Sequence, residues 1–382
     1  MYLVNRLFIA TAALLLFACS SAGSNRAWSS PSQGGESLED VFERVQSSVV
    51  TIRTVSTTGL KDSRGTDVSW AEIGSGVLIS EDGKIMTAAH VVQTADRVTV
   101  EFMDGTKIPA RVLSSVPAAD LALVQLMEPT PATAHVARLG NSDLVRIGAR
   151  VFVVGAPLGI SHTLTVGHVS ARRTTEASLA GIVRLEQFQT DAAINKGNSG
   201  GPMFDMRGEV IGIVSFIVSS TGGSEGLGFA VTSRVGRELL LERNAMWSGV
   251  DMIVLRGALA AAFNLPKGRA GALIQHVAKS SPGERLGLRG GTIEAEIQGQ
   301  KLLLGGDIVL EVFGVPFGDP KNEAKIVRES FDLEPDEIVR LVILREGNRI
   351  TIEKTVREIT GGGETSGDAT MKGSGKGSGS RR

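Results

Sequence analysis

A serine set in Gly197-Asn198-Ser199-Gly200-Gly201-Pro202 has the surroundings that a nucleophile needs. Its hydroxyl must sit exposed on a sharp turn, and flanking glycines permit unusual φ/ψ values and close approach of a substrate backbone. The same turn can aim the amides of Gly197 and Ser199 at one point, an oxyanion hole in which each donor is worth about 2.7–4 kcal/mol. A plain tight turn would use the same residues. A serine hydroxyl is a poor nucleophile until a neighbouring base removes its proton. Of the five histidines, His90 lies in Met86-Thr87-Ala88-Ala89-His90-Val91-Val92, at the end of an apolar run and among small residues. That setting leaves room for a substrate beside the imidazole. The base in turn needs an acid to fix its tautomer and to stabilise the imidazolium. Asp120, in Ala118-Ala119-Asp120-Leu121-Ala122-Leu123, is a lone carboxylate heading an apolar strand. Burial without a partner would be unfavourable there. The alternative for Asp120 is a turn residue capping the strand.

Other chemistries find less support. His162 and His168 are six apart in an alternating run and would share one strand face, but no carboxylate neighbour completes a metal site. Gly222-Gly223-Ser224-Glu225-Gly226 lacks the strand-to-helix context and the Lys-Ser/Thr of a phosphate loop. No cofactor is signalled. The 40 Lys+Arg against 41 Asp+Glu leave a formal net charge of −1, which argues against nucleic acid as a partner. Cys19 is the sole cysteine, so neither an intramolecular disulfide framework nor a cysteine-based zinc site is available.

The elements that must position these groups are short strands. The 382 residues suggest two or three folded units at roughly 150 residues each. Gly is frequent at 47 and aromatics are scarce at 4%, which favours tight turns over helical bundles. Ser37-x-x-Asp40, followed by Leu38, Val41, Phe42 and Val45 at helical spacing, predicts a short amphipathic helix over 38–46. From Val49 to Phe229 β-rich runs alternate with turns: Val49–Val55, Gly76–Ser80, Val98–Phe102, Leu121–Leu126, Arg150–Val154 and Val210–Phe216. Evenly spaced strands of this kind imply a barrel or sandwich. Asp104-Gly105 marks a hairpin, and a helix from about Thr232 to Arg243 closes the unit. A second β-rich segment runs to about Arg357, followed by a Gly/Ser/Lys tail expected to be disordered.

At the other end, Arg6 precedes an apolar run from Leu7 to Ala18. A dozen residues is too short for a hydrocarbon core that needs about 20, but it suits the apolar region of an export signal. Leu16-Phe17-Ala18-Cys19 resembles a bacterial lipobox, apart from Phe17 where a small residue is usual, which makes Cys19 the lipidation site. An ordinary cleaved signal with an incidental cysteine is the alternative. Ser20, rather than Asp, after Cys19 points to the outer membrane.

Taken together, Gly74-Ser75-Gly76-Val77, Thr87 to Val92, Asp120-Leu121-Ala122, Thr190-Asp191-Ala192-Ala193-Ile194-Asn195, Gly197 to Pro202 and Gly226-Leu227-Gly228-Phe229-Ala230 resemble the signatures of the HtrA (Deg-type) family. The resemblance runs from about Leu38 to Arg357 and implies a mostly β fold. A chymotrypsin-like double β-barrel protease domain would be followed by a PDZ domain of α+β type. It implies that His90 is the general base, Asp120 its orienting acid and Ser199 the nucleophile, with Gly197, Asn198 and Ser199 forming the oxyanion loop. Ile194, Val218 and Leu227 match the specificity-pocket positions; all are apolar, so a small or medium aliphatic side chain is expected before the scissile bond. Core packing is the alternative for these three. Ala270 to Ile274, Ser281 to Leu288 and Gly305-Gly306-Asp307-Ile308-Val309 resemble PDZ runs. Its peptide-binding loop would be Trp247-Ser248-Gly249-Val250, which departs from the usual Tyr-Leu-Gly, and Thr292 to Leu304 is an insertion.

The resulting division is a signal peptide at 1–18, a flexible tether at 19–36, a protease domain at 37–246, a PDZ domain at 247–357 and a disordered tail at 358–382. The expected function is cleavage of unfolded or mislocalised envelope proteins in the periplasm. The protein would be tethered to a membrane through Cys19, bind peptide C-termini at its PDZ domain and assemble as a homotrimer. A chaperone or C-terminus-binding scaffold, and a regulatory signalling protease, are the alternatives. The short loop between Val55 and Gly74 is closer to the compact regulatory members. The Arg172-Arg173 pair is a candidate for the loop rearrangement that switches activity in the family.

Overall fold

The computed structural model describes residues 36–61, 64–156, 162–174, 184–218, 223–243 and 245–361. Cys19, the export signal, the tether up to residue 35 and the Gly/Ser/Lys tail from 362 onward lie outside them.

The first element is helix α1 (Leu38–Val45), which buries Val41 and Val45. Next come six strands, β1 (Val49–Lys61), β2 (Asp67–Leu78), β3 (Lys84–Thr87), β4 (Arg97–Glu101), β5 (Lys107–Val116) and β6 (Leu121–Leu126), with a short helix α2 (Ala89–Val92) after β3. Six more follow: β7 (Arg150–Gly155), β8 (Thr163–Thr174), β9 (Glu186–Thr190), β10 (Pro202–Asp205), β11 (Val210–Ile217) and β12 (Gly228–Thr232). Each set closes into a barrel. The first runs β1-β2-β3-β6-β5-β4, and the second closes β7-β8-β9-β12-β11-β10 in the same relative order. One topology is thus used twice, a double barrel of the chymotrypsin type. Most of the region between Val55 and Gly74 is strand: β1 as far as Lys61 and β2 from Asp67 form a long hairpin, with Thr57 opposite Ser69 and Lys61 opposite Asp67.

Three apolar clusters explain the strand composition. One fills the first barrel around Ile52, Ile85, Val100, Ala122 and Val124; another fills the second around Val151, Phe188, Ile211 and Val214. A third lies between the barrels and joins Val77, Met86, Leu121 and Leu123 to Phe152, Phe204, Ile213 and Val231. β6 therefore buries Leu121 and Leu123 on one face and Ala122 and Val124 on the other, so it is apolar almost throughout. Helix α3 (Ser233–Arg237), prolonged by a π turn over Glu238–Glu242, places Val235 and Leu239 in the middle cluster.

The remaining chain forms a separate antiparallel sheet. Its elements are β13 (Val250–Leu255), α4 (Gly257–Ala262), β14 (Gly271–Val277), α5 (Pro282–Leu286), β15 (Ile293–Ile297), β16 (Gln300–Leu304), β17 (Ile308–Val312), β18 (Val315–Pro316), α6 (Pro320–Glu329), β19 (Ile338–Arg345), β20 (Asn348–Thr355) and α7 (Val356–Thr360). The order is β13-β14-β17-β19-β20 with β18 beside β17, a PDZ-like arrangement. The insertion after Thr292 is the hairpin β15–β16, turned at Gln298 and Gly299, both with positive φ. Gly306 is required because a Cβ there would sit 2.2 Å from the Ile274 carbonyl, and Asp307 pairs with Arg345 at 2.7 Å while 1% exposed. Residues 358–360, which the sequence assigns to the tail, belong to α7, closed by a Thr355/Glu358 capping box. Among the described residues no helix is long and apolar enough to cross a membrane.

Candidate active site

Ser199 stands on the turn that leads into β10, and that turn is braced from both barrels. Within it, the Asn198 amide donates to the Asn195 carbonyl at 3.0 Å and the Gly201 amide to the Asn198 carbonyl at 2.9 Å. From its own barrel, Gly200 donates to Val214 at 2.7 Å. From the other barrel, Ser75 on β2 donates its amide to the Ser199 carbonyl at 2.8 Å and its hydroxyl to the Gly197 carbonyl at 2.7 Å. Gly197 and Gly200 have φ of +100° and +83°, conformations that L side chains rarely adopt. A Cβ at Gly200 would also lie 2.2 Å from Thr87 Oγ1. The glycines beside Ser199 are therefore demanded by geometry. The Asn198 amide is thus engaged inside the turn.

His90 lies on α2 and Asp120 on the turn before β6. Asp120 adopts a left-handed backbone with φ +52° and closes the 3-10 turn Pro117–Ala119, so it both caps the strand and presents its carboxylate. That carboxylate accepts the His90 amide at 3.1 Å and lies 2.9 and 3.0 Å from His90 Nδ1. A proton on Nδ1 directed at Asp120 leaves the Nε2 lone pair for a hydroxyl. Sequence reasoning missed Ser215, whose Oγ donates to Asp120 Oδ2 at 2.5 Å while its carbonyl accepts from Ser199 Oγ at 3.4 Å. Its signal was a serine inside the apolar run of β11.

Burial alone would lower the His90 pKa, but the hydrogen bond and charge of Asp120, together with the charge of Glu72, outweigh it and raise the value above that of ordinary histidine. Burial pushes the Asp120 carboxyl upward, and hydrogen bonds from His90 and Ser215 with the His90 charge bring it below the usual range. Glu72 is held above the usual carboxylate range by burial, with His90 acting in the opposite direction. Glu72 was not singled out from the sequence, where it is one acid among many.

The proposed specificity positions divide. Ile194 is buried in the second barrel and packs beside Gly228, where a Cβ would meet it at 2.5 Å. Val218 and Leu227 are 50% and 39% exposed, and the Val218 amide donates to the Leu227 carbonyl at 3.0 Å. Beside them Phe216 stacks on Phe229, with centroids 4.8 Å apart.

His162 and His168 do not share a strand face. His162 precedes β8 with a positive φ, its Nε2 3.2 Å from the Val49 carbonyl. His168 does have a carboxylate neighbour, Asp191, at 3.8 Å. No metal-binding group forms among the described residues. Arg172 is held by Glu186 at 2.8 Å and lies over the Phe188 ring, while Arg173 donates to Gln189.

The Trp247–Val250 loop lies against the element that carries His90. Trp247 Nε1 donates to the Gln93 carbonyl at 2.9 Å, and Gln93 Nε2 donates to the Val250 carbonyl at 2.9 Å and to Ser248 Oγ at 3.3 Å. Ser115 Oγ fixes the other end of the Gln93 amide at 2.6 Å. Gly249 has φ +69°, and a Cβ there would overlap Ser281 at 2.2 Å.

A family model for a trypsin-like peptidase domain matches residues 74–213. A protein of Marinomonas sp. (strain MWYL1), named a probable periplasmic serine endoprotease DegP-like, is 35% identical over 266 residues, 68% of this chain and 55% of that protein. One of the same name from Pseudomonas fulva (strain 12-X) is 34% identical over 290 residues, 74% of this chain and 55% of that protein. The chain thus spans little more than half the length of these relatives. A solved HtrA-type protease, AlgW with a decapeptide, aligns with 84% of this chain and 98% of its own at 27% identity and a TM-score of 0.48.

Proposed function

From the premise that the chain belongs to the HtrA/Deg-type trypsin-like proteases, we propose that it is a serine endopeptidase of the bacterial envelope, with Ser199, His90 and Asp120 as its catalytic groups. The observation that carries this is the continuous connection from His90 to Asp120, from Asp120 to Ser215 and from Ser215 to Ser199, closed at a turn held by both barrels.

The chemistry follows from that arrangement. The Ser199 hydroxyl turns from the Ser215 carbonyl to His90 Nε2, gives up its proton and attacks the scissile carbonyl carbon. The oxyanion is received by the Gly197 and Ser199 amides, which need no reorganisation at the moment of reaction. His90, now an imidazolium stabilised by Asp120, returns the proton to the leaving amine as the C–N bond breaks. Water, deprotonated by the same imidazole, then hydrolyses the acyl enzyme and frees Ser199.

An extended chain along β11 places the side chain before the scissile bond near Val218 and Leu227, where apolar surface favours a small aliphatic group. Unfolded chains supply such segments, so misfolded envelope proteins are the substrate class. Cys19 would carry the lipid tether, with the outer membrane favoured, and the protein would act as a homotrimer. Ser199→Ala should abolish both casein cleavage and fluorophosphonate labelling; unchanged activity would overturn the mechanism.

One observation favours a regulated protease over a constitutive one. The loop assigned to C-terminal peptide binding is hydrogen-bonded to Gln93, three residues beyond His90. A peptide C-terminus captured at Trp247–Val250 would act on the element that carries the base.

A further inference from the structure

The proposed reaction leaves one carboxylate beside the cleft unused. Strand alternation places Glu72, Gly74 and Gly76 on one face of β2. A Cβ at Gly74 would lie 2.7 Å from Val91 and 3.1 Å from the Ser199 carbonyl, so this face looks toward the element bearing His90 and the turn bearing Ser199. Glu72 is the next position along that face, opposite Thr54 of β1 and partly buried. Glycine at 74 leaves no side chain on this face of β2 between Glu72 and Ser199. Among the described residues the Glu72 carboxylate has no hydrogen-bond or ion-pair partner. Its charge is nevertheless felt by His90.

The side of the cleft it occupies follows from the barrels. On the proposed reading, the acyl half of a substrate runs along Ser215 to Val218 in the second barrel, toward Leu227. The residues after the scissile bond must leave past His90, alongside β2 of the first barrel. We infer that Glu72 is the acidic wall of a leaving-group subsite and selects substrates with Lys or Arg at the first or second position after the scissile bond. The inference rests on the proteolytic reading. A partly desolvated, unpaired carboxylate gains most from a cation that the substrate itself brings. The acyl-side positions Ile194, Val218 and Leu227 carry no charge, so charge selection falls to the other half of the substrate.

The test uses the purified full chain and quenched fluorogenic peptides with Val before the scissile bond and Lys, Arg, Ala, Asp or Glu at each of the two positions after it. Within one enzyme, kcat/KM for Lys over Glu at the favoured position should be about twofold to fivefold, a typical return for a partly exposed charge pair. The ratio should shrink as salt is added. Glu72→Gln should bring it near one, Glu72→Lys should invert it, and Glu72→Asp should restore part of it; loss of fold integrity would change rates without inverting a ratio. A wild-type ratio near one, or a ratio unaltered in Glu72→Gln, overturns the subsite while leaving the protease reading intact. Absence of cleavage of every peptide together with absence of Ser199 labelling overturns both.

Discussion

At the residue scale the site turns on how one imidazole is held. Asp120 engages both the backbone amide and Nδ1 of His90, so it fixes the position of the residue and its tautomer together. Asp120→Asn keeps the shape but offers an amide in place of a full negative charge. It should lower kcat by about 10⁴-fold, as loss of the orienting acid does in such triads, with fluorophosphonate labelling slowed in parallel. The raised His90 pKa sets the pH profile. As the proposed base, His90 must be neutral, and a value above that of ordinary histidine keeps the imidazolium to higher pH, so the acidic limb of kcat/KM should fall above the pH at which free histidine titrates. Glu72 contributes to that elevation. Glu72→Gln removes the contribution and should move the limb to lower pH; a limb that stays in place would show that the Glu72 charge does not reach the base. His90, Asp120 and Ser199 could be singled out as candidates because their residue types and neighbours are unusual. Ser215 and Glu72 were not, since a serine in a strand and a surface glutamate acquire meaning only from what folds against them.

At the element scale the nucleophile turn is positioned by backbone more than by side chains. Gly200 has φ +83° and lies against Thr87 and the Ser75 carbonyl, so Gly200→Ala must move the turn or leave its conformation. Displacements near 1 Å cost about 10²-fold in rate, and a loss of at least that size is expected in kcat/KM, read against the fraction of enzyme that titrates with fluorophosphonate. In the C-terminal sheet Asp307 accepts the Arg289 amide and both Arg345 nitrogens. Asp307→Ala removes the carboxylate from a partly buried guanidinium and leaves the Arg289 amide without its acceptor, which should destabilise that module by about 1–3 kcal/mol, measured from its urea midpoint. The strand runs and the Asp104-Gly105 hairpin could be read directly, because alternation and turn chemistry are local. The length of the β1–β2 hairpin could not, since its outer half lacks a buried face to enforce an apolar pattern.

At the whole-molecule scale the Gln93 side chain is one of several links between the two modules, beside the Lys279 amide on Asp96 and the Trp70 ring against His276. Gln93 is held by Ser115 at one end and bonded to Ser248 and the Val250 carbonyl at the other. If the Trp247–Val250 loop reports peptide capture to α2, adding a C-terminal peptide should change kcat/KM of the wild-type enzyme. Gln93→Ala should flatten that response while Ser199 still labels. An undiminished response in Gln93→Ala would place the coupling elsewhere.

The amino-acid order alone determined which groups can do chemistry here: a serine between glycines, a histidine among small residues and a carboxylate heading an apolar strand. Local sterics and the chemical type of each side chain are properties of short segments, so these are visible without a fold. Tertiary structure decided which of these groups share a cleft. Asp120 lies 30 residues from His90, which the pairing of β3 with β6 brings beside it, and 95 from Ser215, which only the packing of the two barrels on a shared apolar core brings within hydrogen-bonding distance. It also decided that Ser75 braces the nucleophile turn and that Gln93 meets Trp247. Such contacts depend on strand order, which hydrophobic patterning leaves open because many pairings of the same strands would bury the same residues.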